Sequence, residues 1–193
     1  RVECVRLAME QIVNNAAKVK FLTDRPGPGV FRMIIGRGWG QGPTHGQSLE
    51  PLFCHVPGLR VVMPGMPEEG AELLTAALTG DDPVVYLEHR WLHDAPVGQN
   101  LAAGGPTPNL GLSSPTQGRD AYQVAILTEG NDLSIVAYGF MVQEALRAAA
   151  VIDAGGCSAE VISLRSLAPV DYQPILQSVQ RTRRLLVVDH GPV

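Results

Sequence analysis

The sequence predicts an α/β protein made of two parallel-sheet domains. Three observations carry that expectation. Short continuous apolar runs such as 59–63 and 84–87 alternate with amphipathic stretches of helical period, the pattern of strands buried on both faces by crossover helices. The same alternation resumes beyond residue 119. Between the two halves, residues 94–118 are rich in proline and glycine and poor in bulky apolar side chains, as an interdomain crossing should be. The expected division is 1–93, a linker 94–118, and 119–193.

Residues 3–20 read as a helix, with Val5, Met9, Ile12, Val13 and Ala16 recurring at spacings of three and four. The proline- and glycine-bearing stretch 24–29 ends it. Val30 to Ile35 is a strand, followed by a glycine-rich loop, Gly36-Arg37-Gly38-Trp39-Gly40-Gln41-Gly42-Pro43-Thr44-His45. Residues 47–55 read as a helix and 59–63 as a strand stopped by Pro64-Gly65. Pro67 suits the first turn of the next helix, with Glu68 and Glu69 at its positive end. That helix closes at Gly80, and 84–87 is the following strand. In the second half, 122–127, 133–137, 160–164 and 184–189 read as strands, 141–154 and 172–181 as helices.

Composition excludes several classes of function. Of 193 residues, 45% are apolar and 18% charged, so a packed core is expected and wholesale disorder is not. A net charge of −4 advertises no basic face for nucleic acid. Three scattered cysteines, Cys4, Cys54 and Cys157, form neither a disulfide framework nor a zinc ribbon and suit a reducing compartment. No apolar run reaches the ~20 residues of a membrane span. Residues 1–20 lack the compact apolar run and cleavage site of a targeting segment. The chain opens without methionine, inside a helical pattern, so it is expected to be a fragment.

Two segments are candidates for chemistry. The glycine-rich loop lets backbone approach a ligand, although it matches neither G-x-G-x-x-G opening a helix nor a phosphate-binding P-loop; the plain alternative is an ordinary long turn. His45, placed between that loop and the next helix, suits proton transfer near neutral pH; the alternative is a hydrogen-bonded loop histidine. His55, His89 and His93 read as scaffold or surface residues without metal-ligand spacing. The second segment runs from Ala76 to Pro83. A helix end there leaves carbonyls without amide partners, beside Asp81 and Asp82, and could hold a monovalent cation; a plain helix end with solvated aspartates is the alternative.

Longer stretches then resemble one family. Residues 8–18, Ala8-Met9-Glu10-Gln11-Ile12-Val13-Asn14-Asn15-Ala16-Ala17-Lys18, resemble the interface helix of 2-oxoacid dehydrogenase E1 component β subunits. Gly38 to Glu50 resembles their active-site loop; 55–64, 82–89 and 160–171 continue the likeness in one register across nearly the whole chain. The chain is similar to the pyruvate, branched-chain 2-oxoacid and acetoin dehydrogenase β subunits, while Gly42-Pro43-Thr44-His45 leans towards transketolase, a relative with the same domain plan.

The resemblance implies a partial pyrimidine-binding domain followed by a partial transketolase-type C-terminal domain. It implies thiamine diphosphate with Mg²⁺ held mainly by an α-type partner subunit. It further implies a second β copy in an α2β2 assembly and a lipoyl-bearing acyltransferase as the acceptor of the acyl group. It makes His45 the catalytic histidine and gives Ala77, Leu78, Gly80 and Asp82 as a potassium site, mostly through main-chain oxygens. The family's activating glutamate falls upstream of residue 1, so neither Glu3 nor Glu10 matches it. The residue stacking on the pyrimidine falls at Cys4, which cannot replace an aromatic ring. The chain alone is therefore expected not to turn over. The implied activity is oxidative decarboxylation of a 2-oxoacid with acyl transfer to lipoamide, in a bacterial cytoplasm or mitochondrial matrix. The alternatives are two-carbon transfer of the transketolase kind and a non-catalytic assembly module.

Overall fold

Alternate residues of each strand in the first half face opposite sides, and both sides carry apolar residues, so each side needs a helical cover. The computed structural model describes residues 1–27, 29–36, 38, 40–95, 99–100, 105–106, 121–189 and 191. It supplies those covers. The N-terminal helical run begins as a 3₁₀ turn, Cys4–Ala8, passes through a π-helical stretch, Gln11–Ala16, and ends as α1, Ala17–Thr23. It is thus longer and less regular than the helix predicted over 3–20. Strand β1 (Gly29–Ile35) follows, then the single turn α2 (Gly42–His45) and α3 (Glu50–Cys54). Next come β2 (Arg60–Val62), α4 (Pro67–Thr79) and β3 (Pro83–His89).

These strands pair in parallel in the order β1-β3-β2, and the register sets Ile35 beside His89. Met33, Ile35, Val61, Met63, Val85 and Leu87 turn to one face and pack with Val2, Ile12 and Phe53. Val62, Val84 and Tyr86 turn to the other and pack with Leu73 and Ala77 of α4.

The second half builds its own sheet. Its elements are β6 (Ala125–Thr128), β7 (Leu133–Ala137), α5 (Met141–Ala154) and β8 (Ala159–Ser163). They continue with β9 (Ser166–Ala168), α6 (Gln173–Thr182) and β10 (Leu185–Val188). The sheet order is β10-β7-β8-β6. One face carries α5 through Val142, Ala145, Leu146 and Ala149. The other carries α6 through Ile175. Strands 59–63 and 84–87 thus share one sheet and 133–137, 160–164 and 184–188 another, as the apolar runs predict.

Two details correct the expectation of purely parallel sheets. β6 runs antiparallel to β8, and β6 and β7, successive along the chain, are not neighbours in the sheet. β9, which the sequence hides, leaves the second half and pairs antiparallel with β2 in the first sheet. Three residues with no periodicity to display give no strand signal. Most of the expected crossing at 94–118 lies outside the described residues; within it, β4 (Gln99–Asn100) and β5 (Gly105–Pro106) pair antiparallel.

Candidate functional site

In parallel sheets ligands gather at the carboxyl ends of the strands. Here the carboxyl ends of β1 and β3 meet that of β7. His89, the last residue of β3, is 2% exposed and stacks on Phe140, which follows β7, with ring centroids 5.2 Å apart. Trp91 meets the same Phe140 edge-on at 4.8 Å. The glycine-rich loop leaves β1 directly over these rings. A Cβ on Gly36 would lie 2.6 Å from His89 Nε2, and one on Gly38 2.7 Å from Trp91 Cζ2; both glycines also have positive φ. Any larger residue is strained there twice over. Arg37 and Trp39 of that loop lie outside the described residues.

The loop delivers His45 to the rim. His45 ends the single turn α2, and the next helix starts only at Glu50. The prediction that it directly precedes a helix from residue 47 is therefore corrected: Gln47–Leu49 are not helical. Its side chain is 39% exposed, and its Nδ1 is hydrogen-bonded to the buried carboxylate of Glu3. Glu3 is there because Val2 is fully buried in the first core and its N–H donates to the Ile34 carbonyl at 3.2 Å. Burial raises the Glu3 pKa, but its own backbone N–H and the His45 ring outweigh this and hold it below the usual carboxylate value.

A second cluster crosses between the sheets. Glu50, 3% exposed, accepts the Tyr138 hydroxyl at 3.0 Å, and the same hydroxyl reaches Asp189 at the end of β10. One phenolic hydrogen cannot serve two carboxylates at once. Burial raises the Glu50 pKa, and the negative charge of Asp189 adds to it. A third cluster lies behind it: Arg165 contacts Glu69 at 3.5 Å and also pairs with Glu72, all three buried. Glu69 Oε2 accepts Gly65 N–H at 2.7 Å, Met66 N–H at 3.1 Å and the Ser163 hydroxyl at 3.3 Å. Cys54, pushed up to about 11 chiefly by burial, is no nucleophile at neutral pH.

The sequence gives no hint of Glu3, Tyr138, Asp189 or Arg165 as members of these clusters. Only Glu69 and Glu72 carry a signal: two carboxylates three apart on the apolar side of a helix. A cavity of about 440 Å³ opens beside β3, lined by Arg32, Tyr86, Glu88 and His93 among others. Neither His45 nor Glu3 lines it, so it is not the space His45 faces.

The candidate cation segment looks different. Ala77 is buried, Leu78 is 65% exposed, and Gly80 caps α4 in extended conformation. The Asp82 carboxylate is already held by Lys20 at 2.7 Å and Arg60 at 3.3 Å. That carboxylate is therefore already paired and is not free to act as a charged ligand. Among the described residues no cluster of three or more His, Cys, Asp or Glu could hold a metal. No helix among them is long and apolar enough to cross a membrane. Cys4 is exposed, and its thiol points to Glu3 Oε1 at 3.7 Å; a thiol offers no face on which an aromatic ring can stack.

Comparison with known proteins agrees with this architecture. Residues 7–94 match the transketolase pyrimidine-binding domain, and residues 122–193 match the transketolase C-terminal domain. The chain belongs to the transketolase-type family of two-domain α/β proteins. Within it, the chain is 36% identical over 192 residues to the β subunit of acetoin:2,6-dichlorophenolindophenol oxidoreductase from Cupriavidus necator, covering 98% of this chain and 53% of that one. It is 37% identical to the mitochondrial pyruvate dehydrogenase E1 component β subunit of Caenorhabditis elegans, covering 95% of this chain and 50% of that one. The chain thus spans about half the length of these relatives. Among solved structures, a split-gene transketolase described as an inactive β4 tetramer superposes with a TM-score of 0.64 at 22% identity, covering 91% of this chain and 54% of that one. That likeness concerns fold alone.

Proposed function

We propose that the chain contributes the β-type subunit of a thiamine diphosphate-dependent 2-oxoacid dehydrogenase E1 component, which decarboxylates a 2-oxoacid oxidatively and passes the acyl group to lipoamide. The observation that carries this reading is His45: half-open to solvent, at the carboxyl edge of a parallel sheet, backed by a buried carboxylate. The sequence relatives with E1 component β-subunit names support it. When bound, thiamine diphosphate supplies the electron sink for the carbanion. The resemblance puts Cys4 at the position that stacks on its ring, and a thiol offers no face for that; holding the ring and the Mg²⁺ is a task for other residues. Those tasks are proposed for the α-type partner and for residues outside this chain.

What this chain does is narrower. His45 binds at the reacting group, gives or takes a proton at the exposed side of its ring, and carries positive charge next to Glu3 while it does so. Leu7, Phe21 and Leu22 of the N-terminal helical run are 97%, 88% and 71% exposed. Exposed apolar side chains of that kind support partners on that run: the α-type subunit and a second β copy, with the lipoyl-bearing acyltransferase meeting the assembled enzyme. The compartment proposed is a bacterial cytoplasm or mitochondrial matrix; one relative is named as mitochondrial and another comes from a bacterium. Potassium at the main-chain oxygens near Gly80 belongs to the same proposal.

The deciding experiment assembles the chain, within its full-length subunit, with its α-type partner and measures 2-oxoacid-dependent acyl transfer. His45→Ala should lower kcat by about 10²–10⁴-fold while leaving the fold intact. Turnover of sugar phosphates in place of 2-oxoacids would establish the two-carbon transfer that Gly42-Pro43-Thr44-His45 favours. An assembled complex with no thiamine-dependent turnover would establish the assembly role that Cys4 favours.

A further inference from the structure

We propose that Glu3 is the positioning residue of His45: its carboxylate accepts the hydrogen of Nδ1, so that the ring presents its proton-accepting lone pair at Nε2. This rests on the reading of His45 as the proton-transfer group and deepens it. A neutral imidazole has one N–H and one lone pair, and which nitrogen carries which is decided by the partner of the other. Here Glu3 Oε1 is the hydrogen-bond partner of Nδ1. An ionised carboxylate is acceptor-only, so the hydrogen belongs to Nδ1 and the free lone pair to Nε2.

Three further observations agree. The Glu3 side chain is 3% exposed while His45 is 39% exposed, so the carboxylate stands behind the ring and the ring stands before solvent. The Glu3 backbone is fixed, because Val2 is locked into the β1 edge and the Glu3 carbonyl accepts both Arg6 N–H at 3.4 Å and Arg6 Nε at 3.3 Å. Glu3 Oε2 is buried and has no hydrogen-bond partner among the described residues. A buried carboxylate with half its acceptor capacity unmet is a poor way to stabilise a fold. It is a good way to meet a ring that turns cationic during each cycle. The proton taken at Nε2 makes an imidazolium; Nδ1–H stays on the ring, Glu3 stays ionised, and the proton leaves again from Nε2.

Long-range nitrogen–proton NMR on the labelled 193-residue chain reads the tautomer directly and needs neither cofactor nor partner subunit. The neutral His45 ring should carry its hydrogen on Nδ1 in about tenfold or greater excess, the ratio expected for a hydrogen bond to a charged acceptor. Glu3→Ala should remove that preference, and Glu3→Gln, which keeps an acceptor without charge, should restore part of it. Wild-type His45 with its hydrogen on Nε2 overturns the proposal, and that spectrum decides even where Glu3→Ala fails to fold. An unchanged tautomer ratio in a folded Glu3→Ala chain overturns it equally. In the assembled enzyme, Glu3→Ala should lower kcat by about tenfold or more with KM within about twofold. A wrong tautomer leaves the enzyme reading standing, because that reading is tested separately by His45→Ala.

Discussion

The seam between the two sheets and the corner at the end of α4 both combine carboxylates with cations, and they handle them in opposite ways. At the seam, Glu50, Glu69, Glu72 and Arg165 are all nearly excluded from water. Burial raises the pKa of Glu50 and of Glu69, against the opposing pull of Arg165 on the latter. At the corner, Asp82 keeps about a third of its side chain in solvent and is held by Lys20 and Arg60. The Lys20 hydrogen bond is the main cause of its lowered pKa, outweighing partial burial. The same type of group is thus drawn towards its neutral form in one place and its charged form in the other. Water decides the difference. Where it is excluded, each missing partner is felt in full; where it is present, it screens and substitutes.

Four substitutions and one change of cation would break or sharpen this contrast. The largest stability effect is expected at the seam. Arg165→Ala leaves Glu69 and Glu72 buried without their cation and should cost about 3–5 kcal/mol, read as a lowered midpoint in urea. A loss under 1 kcal/mol would show that water already reaches the cluster. Next is steric: a Cβ on Gly65 would lie 2.4 Å from Val142 Cγ2 across the seam. Gly65→Ala should therefore cost about 1–3 kcal/mol, unless the two sheets part easily, in which case unfolding curves would superimpose.

The pH dependence should have opposite signs in the two regions. Glu50 has a folded pKa above its ordinary value of 4.5. Its stabilising contribution is complete below about that value and is lost as pH rises through the folded pKa. Urea midpoints measured from pH 4.5 upward should fall less steeply in Glu50→Gln than in the wild type. Asp82 has a folded pKa below 3.8, so its contribution is present above that value and is lost as pH falls through the folded pKa. Asp82→Asn should flatten only the acid limb, and at neutral pH it should cost about 0.2–1 kcal/mol. The smallest effect concerns potassium. A cation held by main-chain oxygens of the folded state alone should raise the melting temperature over that in sodium, by mass action; equal melting temperatures count against the site.

Much of this was legible in the sequence. The runs 61–63 and 84–87 are short and apolar throughout, as buried strands are, and they became adjacent strands of one sheet. The stretch 67–79 carried its own start and stop signals and became α4 with the predicted bounds to within a residue. The glycine-rich loop and His45 stood out because residue type and order alone mark a backbone that must bend sharply before an imidazole. All these signals are local. They arise from sterics, side-chain period and caps, which act within a few residues.

What only the tertiary structure decided are the partners. Glu3 meets His45 across 42 positions, Lys20 meets Asp82 across 62, Tyr138 meets Glu50 across 88 and Arg165 meets Glu72 across 93. Strand β9 likewise takes its place beside β2 from the other half of the chain. Nothing in the neighbourhood of Glu3 distinguishes it from a solvated glutamate at a helix start; nothing near Asp82 shows that Lys20 and Arg60 will reach it. Burial and pairing depend on which surfaces meet once the sheets are closed, and that is set by the packing of both layers together, not by any segment alone.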